Sequence, residues 1–303
     1  MDKILVCIDL GGTSVKAGIC SFDGKLSEQC SFPVPDEFEA LAGEIVRFTD
    51  RMREKYDVAG LAVSAPGAVD VDKGIIGGGS AIPYIHGPSW TEVFSGLLNM
   101  PVSIENDANC AALAEIVFGN GRGYRDMAFV VCGTGIGGAL VSDGKVRHGA
   151  HLYSGEFGCM VMRDEEGSLS TFSAQASTMS FVRKVRSQYP DEEWDGRKVF
   201  DRAKEGDTVC IQAIDRFYSN LAEGIYNVQH VYDPEIILLG GGISSREDFI
   251  PQLKEKLEAT AASVDEKFAT HTIRPLIDVC AFRDGANLIG AAADWLQRYG
   301  GNG

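Results

Sequence analysis

The chain has 303 residues, 45% hydrophobic and 23% charged, with eight cysteines and a formal net charge of −15. That length is ample for two domains and a sizeable core, and the acidity argues against a nucleic-acid-binding surface, which would be basic. Any phosphate site must therefore be assembled locally, from backbone amides, a divalent cation and a few cationic side chains such as Lys16.

The first segment, Ile4–Ile8, is an apolar run suited to a buried strand. Asp9 closes it, and Gly11 and Gly12 allow a sharp turn with close backbone approach to a ligand. Thr13 and Ser14 add hydroxyls, Val15–Cys20 reads as the return strand, and Asp23-Gly24 suits a hairpin turn. Amides in a glycine turn form a nest that holds phosphate. An acid beside such a nest repels phosphate unless a cation lies between, so the stretch fits a Mg²⁺–nucleotide site. A glycine hairpin with a solvated Asp9 fits it as well.

Phe38–Met52 carries apolar residues at helical spacing, and Val58–Val63 reads as a strand leading into the turn Ser64-Ala65-Pro66-Gly67. Val69–Gly74 suggests another hairpin. Gly77–Trp90 reads as irregular, with Pro83 and Pro88, and is either a functional loop or a connection that buries Trp90. Pro101–Glu105 reads as a strand and the apolar run to Gly119 as a helix, with Asn106 or Asp107 as its N-cap. An acid in a first helical turn is common, so Asp107 taken alone reads as a cap.

Phe129–Lys145 repeats the plan of the first hairpin: apolar strand, Gly/Thr turn, apolar strand, Asp-Gly-Lys. Two such hairpins suggest a duplicated architecture with a nucleotide between the halves. Gly133-Thr134-Gly135-Ile136-Gly137-Gly138 resembles a dinucleotide fingerprint, but that fingerprint opens a helix, and here the pattern predicts a strand.

The segment from Gly149 to Ser177 is rich in Gly and Ser and reads as loop with short strands; Glu156, between Gly155 and Gly158, is its most pointed residue, or a solvated carboxylate. Cys210–Val228 is predicted as a long amphipathic helix and Glu235–Leu239 as a buried strand. Gly240-Gly241-Gly242 and a helix from about Phe249 follow, a plausible seat for an adenosine. Leu276–Phe282 reads as a strand and Ala286–Tyr299 as the last helix; the Gly301-Asn302-Gly303 tail is expected to fray. Strands alternating with helices indicate an α/β architecture, with a domain boundary near the helix after Asp107. The cysteines are scattered without a C-x-x-C pair, which gives no support to a cysteine zinc site and fits a reducing cytoplasm. No signal peptide and no membrane-length run are read in the chain.

Six pieces in this order carry a resemblance to the ROK family of sugar kinases and repressors, within the actin/Hsp70/hexokinase-like superfamily. They are Asp9-Leu10-Gly11-Gly12-Thr13 with Lys16; Ala65-Pro66-Gly67; Glu105-Asn106-Asp107-Ala108-Asn109; Gly133–Gly138; Gly155-Glu156-Phe157-Gly158; and Leu239-Gly240-Gly241-Gly242-Ile243. The resemblance implies a two-domain actin-like ATPase (ribonuclease H-like) fold with a central cleft. The first domain would span 1–118 and be completed by the last helix, 286–303; the second would span 119–285. It implies ATP held by Gly11, Gly12, Thr13, Lys16, Gly133, Thr134, Gly135, Gly137, Gly241 and Gly242, with Asp9 near Mg²⁺. It implies Asp107 as the catalytic base, with Asn106, Asp107 and Glu156 on the sugar hydroxyls. A helix N-terminus favours the ionised carboxylate that a base requires, so cap and base are compatible.

The chain departs from the family where many members carry Glu-x-Gly-His and a zinc-binding cysteine cluster. Cys159 replaces the His, the cluster region reads Gly167–Ser173 without cysteine, and Ser170 stands where a sugar-contacting Glu is often found. No zinc is expected, and the zinc-less members so resembled are β-glucoside kinases and some N-acetylmannosamine kinases. Ser170 leaves room for a larger sugar, or its presence weakens activity. The expected function is phosphorylation of a sugar hydroxyl, most simply the 6-hydroxyl of a hexose, N-acetylhexosamine or β-glucoside, in the cytoplasm. The alternative is a sugar-binding regulator; family repressors add an N-terminal helix-turn-helix, whereas this chain starts three residues before its first strand and is acidic, so no nucleic-acid partner is expected. A homodimer is expected from the resemblance alone, since no apolar stripe identifies an interface.

Overall fold

A computed structural model describes residues 3–300; the 301–303 tail expected to fray lies outside them. In chain order the strands and helices begin with β1 (Lys3–Leu10), β2 (Ser14–Ser21), β3 (Leu26–Pro33), α1 (Phe38–Arg53), β4 (Asp57–Ala65), β5 (Ala68–Asp70), β6 (Ile75–Gly77), α2 (Trp90–Leu98), β7 (Val102–Asn106) and α3 (Asp107–Phe118). They continue with β8 (Met127–Cys132), β9 (Ile136–Ser142), β10 (Lys145–Val146), β11 (Val161–Arg163), β12 (Leu169–Thr171), α4 (Phe172–Ala176), α5 (Thr178–Gln188), α6 (Gly196–Lys204) and α7 (Thr208–Tyr232). The last are β13 (Ile236–Gly240), α8 (Phe249–Phe268), β14 (Ile277–Val279) and α9 (Ala286–Tyr299). Among the described residues no helix is long and apolar enough to cross a membrane.

The chain divides into two compact units: 1–123 with 148–154 and 284–303, and 124–147 with 155–283. The break in the sequence thus falls after Gly123 rather than after residue 118, and the loop 148–154 belongs with the first unit. Each unit holds a five-stranded sheet, ordered β3-β2-β1-β4-β7 in the first and β10-β9-β8-β13-β14 in the second. Counting only the strands of each sheet, both orders are third, second, first, fourth, fifth, so the duplicated plan read from the two hairpins is a duplication of the whole sheet. In the second hairpin Asp143 and Gly144 adopt φ of 56° and 73°, as a type I′ turn requires.

The first sheet is covered on both faces. Ile4, Val6 and Ile8 of β1 and Leu61 and Val63 of β4 join a core with Leu41, Ile45, Trp90 and Phe94 of α1 and α2. Leu5 and Cys7, of opposite parity, join Ala62, Cys110, Ala291, Ala292 and Trp295 on the α3 and α9 side. A strand buried on both faces reads as a continuous apolar run, which is why β1 was legible. On that side Gly290 lets α9 pack directly on the Cys110 carbonyl of α3, and Asn287 in the first turn of α9 reaches Asp9 at the end of β1.

Four elements differ from the sequence reading. β3 pairs with β2 only and is exposed along most of its length, so its sequence carries no apolar alternation. α2 begins at Trp90, where irregular chain was expected: the Ser89 hydroxyl accepts the Glu92 N–H as an N-cap. Trp90 is fully buried and stacks on Phe94 at 5.3 Å. α5 and α6 were not read at all; Asp195 caps α6 by accepting the Lys198 N–H at 2.8 Å.

Candidate active site

The first unit lines up three polar residues at the carboxyl ends of adjacent parallel strands. Asp9 of β1 pairs in register with Ser64 of β4, and Ser64 with Glu105 of β7. Side chains alternate along a strand, so Asp9 shares the face of Leu5 and Cys7, toward α3 and α9. Asp9 is 8% exposed, and its Oδ1 accepts the Ser64 hydroxyl at 2.9 Å and Asn287 Nδ2 of α9 at 3.0 Å. It is a held, buried carboxylate rather than a solvated hairpin acid. Gly11 N–H closes the following turn on the Ser14 carbonyl at 3.1 Å, leaving Gly12 and Thr13 exposed at its tip. Lys16 of β2 lies opposite Asp9 in the antiparallel register and is exposed; cross-strand partners share a face, so an ammonium is available beside the carboxylate.

Beyond Glu105 the chain turns directly into α3. Asn106 is the N-cap, its Oδ1 accepting the Asn109 N–H at 3.1 Å. Its Nδ2 donates to the Gly67 carbonyl and to Asp107 Oδ1, each at 3.0 Å. Asp107 is the first helical residue, not the cap; its Oδ1 also accepts the Ala108 N–H at 2.8 Å. These bonds orient the Asp107 carboxylate and tie it to the Ala65-Pro66-Gly67 turn. With strands spaced by about 4.8 Å, Asp9 and Glu105 stand two spacings apart across β4, so Asp9 and Asp107 emerge from the same edge of one sheet.

The second unit holds a cavity of about 600 Å³ lined by Gly133, Thr134, Thr178, Arg197, Gly242 and Arg246, among others. The Gly133-Thr134-Gly135 turn joins β8 to β9; Gly133 N–H bonds the Gly135 carbonyl and the Gly133 carbonyl accepts the Thr178 N–H, both at 2.9 Å. A strand follows it, so this is not the helix-opening dinucleotide turn. Gly137 lies within β9, paired with Val131, and does not line the cavity. Gly241 has φ of 94°, and a Cβ there would stand 2.1 Å from the Cys132 carbonyl oxygen. That close approach puts the end of β13 against the β8 end of the phosphate-type turn. Gly241→Ala is expected to cost about 2–4 kcal/mol of stability through overpacking and left-handed strain; a denaturant midpoint equal to that of the parent contradicts it.

Glu156 is exposed and precedes a short 3-10 turn, Phe157–Cys159. Cys159 is exposed and unbridged. Ser170 lies in β12 opposite Met162, and its hydroxyl accepts Gln175 Nε2 at 2.9 Å. Among the described residues no three His, Cys, Asp or Glu side chains gather as a protein-held metal requires. Of the cavity wall, Gly133, Thr134 and Gly242 are residues the sequence singles out, whereas Thr178, Arg197 and Arg246 were not anticipated. Arg246 stacks over the Phe200 ring at 3.7 Å and forks onto Asp248 at 2.9 and 2.7 Å. Arg197 follows the α6 cap. Two arginines 49 positions apart carry no local signal of meeting at one cavity.

Comparison with known proteins gives the family. The sequence profile of the ROK family matches residues 5–298. A β-glucoside kinase of Listeria monocytogenes is 33% identical over 304 residues, covering 97% of each chain, and one of Klebsiella pneumoniae is 31% identical over 305 residues with the same coverage. The crystal structure of a ROK family protein from Streptococcus pneumoniae in complex with sucrose superposes with a TM-score of 0.88 at 39% identity, covering 97% of this chain and 98% of that one.

Proposed function

The chain belongs to the ROK family, and from that premise we propose that it transfers the γ-phosphoryl group of ATP to the 6-hydroxyl of a hexose-type sugar, with Asp107 as general base. That it is an ATP-dependent sugar kinase follows from relatives of full length that carry that activity in their names. β-Glucosides stand first among the substrates, because those relatives are β-glucoside kinases and because Ser170 is small where a sugar-contacting Glu is often found.

The observation that carries the reading is the register of Asp9, Ser64 and Glu105, which sets Asp107 two residues beyond the same sheet edge as Asp9. Mg²⁺ keeps several waters and binds through one or two carboxylates plus phosphate oxygens, so the single carboxylate of Asp9, fixed through Oδ1 by Ser64 and Asn287, fits such an ion. When bound, the ion neutralises charge on the phosphates. Gly11, Gly12, Thr13 and Lys16 are assigned to phosphate, and Gly133, Thr134, Gly135, Gly241 and Gly242 to the nucleotide, with Gly137 supporting that turn from within β9. Asn106 and Glu156 are assigned to sugar hydroxyls, Asn106 also holding the Asp107 carboxylate. In the transfer the sugar oxygen bonds to the γ-phosphorus, the bond to the β-phosphate oxygen breaks, ADP departs, and the hydroxyl proton passes to Asp107. The transition state is loose, so orientation and charge placement supply most of the acceleration.

A coupled ADP-release assay tests this with glucose, N-acetylmannosamine, N-acetylglucosamine, fructose and cellobiose. Sugar-dependent ADP release, highest with cellobiose, is expected; release with none of them overturns the reading.

A further inference from the structure

Glu105 is 1% exposed, yet it is not one of the residues assigned to sugar, nucleotide or metal. A carboxylate so buried is retained only where its oxygens are fully paired. Oε1 accepts the Asn106 N–H at 2.7 Å and Asn109 Nδ2 at 3.0 Å, fastening the end of β7 to the first turn of α3 on either side of Asp107. Oε2 meets His148 Nε2 at 2.7 Å and lies 3.9 Å from an Arg298 terminal nitrogen on α9. Arg298 in turn forks through Nε onto Asp294 at 2.8 and 2.9 Å.

His148 opens the loop 148–154, the segment of the first unit inserted between two stretches of the second. The loop closes on itself, the Ser154 N–H donating to the His148 carbonyl at 3.2 Å. At its other end the exposed Tyr153 hydroxyl stands 3.8 Å from where a Cβ of Gly78 would lie, beside Ala68. The loop thus meets the Asp107 turn from behind, through His148 on Glu105, while its other end reaches the neighbourhood of Gly78.

We propose that Glu105 and His148 form a clasp that positions both the Asp107 turn and the loop 148–154, and so act as positioning residues that set sugar affinity and turnover. This rests on the reading of Asp107 as the base. His148 is the only member of the cluster that enters from the loop; Glu105 comes from β7, and Arg298 and Asp294 from α9. These are the charged groups that face its ring. With His148 protonated the four charges cancel, and with it neutral a buried negative charge is left over. Accordingly the Glu105 bond holds the His148 pKa above its ordinary value, opposed by burial and Arg298, while burial pushes Asp294 up to about 6. A histidine raised on folding contributes stability below its unfolded pKa and loses it as pH rises through the folded one. The clasp is therefore closed on the acid side and loosens toward alkaline pH.

The test measures kcat and KM for sugar and ATP across the neutral and alkaline range in the parent, His148→Ala and His148→Gln, with the His148 ring followed by NMR in the parent and Glu105→Gln. A misplaced reacting group costs up to about 100-fold. His148→Ala is expected to lower kcat/KM for sugar by roughly 10- to 100-fold with KM for ATP unchanged. His148→Gln, whose amide donates to Glu105 without titrating, is expected to restore most activity and to lose the alkaline decline that the parent shows. The ring is expected to titrate above the ordinary histidine value in the parent and to return toward it in Glu105→Gln. His148→Ala with the sugar kcat/KM and pH profile of the parent overturns the clasp, as does a ring titration unmoved by Glu105→Gln. The NMR readout needs no turnover, so a failed clasp is distinguishable from a misassigned base, which Asp107 variants report separately.

Discussion

Asp107→Asn is expected to lower kcat by about 10²- to 10⁴-fold, the usual contribution of a positioned general base. The substitution is conservative for the fold. An asparagine Oδ1 can still accept the Ala108 N–H and the Asn106 amide that Asp107 Oδ1 accepts at 2.8 and 3.0 Å, and the N-cap of α3 is Asn106, not Asp107. What is lost is the ability to take the hydroxyl proton as the phosphoryl group transfers. The melting temperature and the ATP affinity should therefore match those of the parent, and calorimetry with ATP checks the second. Turnover within a few fold of the parent would remove Asp107 from the chemistry.

Asp9→Asn is the second large effect. Its Oδ1 bonds to Ser64 and Asn287 are again ones an asparagine oxygen can accept, so the strand end should keep its shape. The lost charge is what would face the metal and the phosphates. A metal-neutralised charge on a phosphoryl group is worth several kcal/mol; a loss of roughly 3 kcal/mol corresponds to about a hundredfold in kcat/KM for Mg–ATP. A Mg²⁺ titration of activity should shift to higher concentrations while sugar binding is unchanged. An unchanged Mg²⁺ dependence would place the metal elsewhere.

The strands that lead to these two acids were readable because they are buried on both faces, which leaves a run such as Ile4–Ile8 with no polar interruption. Parity does the rest: Leu5 and Cys7 belong to the core under α3 and α9, so Asp9 must point there, and Ser103 and Glu105 follow Val102 and Ile104 by the same rule. The cap of α3 could be narrowed to two residues but not to one, because Asn and Asp both cap well; only the bonds of Asn106 decide it. β3 was missed because an exposed edge strand has no apolar face to betray it. Arg197 and Arg246 of the cavity wall were missed for a different reason. Gly133, Arg197 and Arg246 are brought together by the packing of α5, α6 and β13, and no local pattern encodes that meeting. Glu105 was overlooked beside Asp107 although both sit in the same five-residue motif, because its role depends on His148, which lies 43 positions along the chain.

The most direct measurement is the rate at which sugar phosphate and ADP form together from ATP and cellobiose or glucose, in the parent and in Asp107→Asn. The account predicts equal amounts of the two products in the parent and a drop of both by at least about 100-fold in the variant, with ATP still bound. ADP released without a sugar ester, or a variant as fast as the parent, would contradict it.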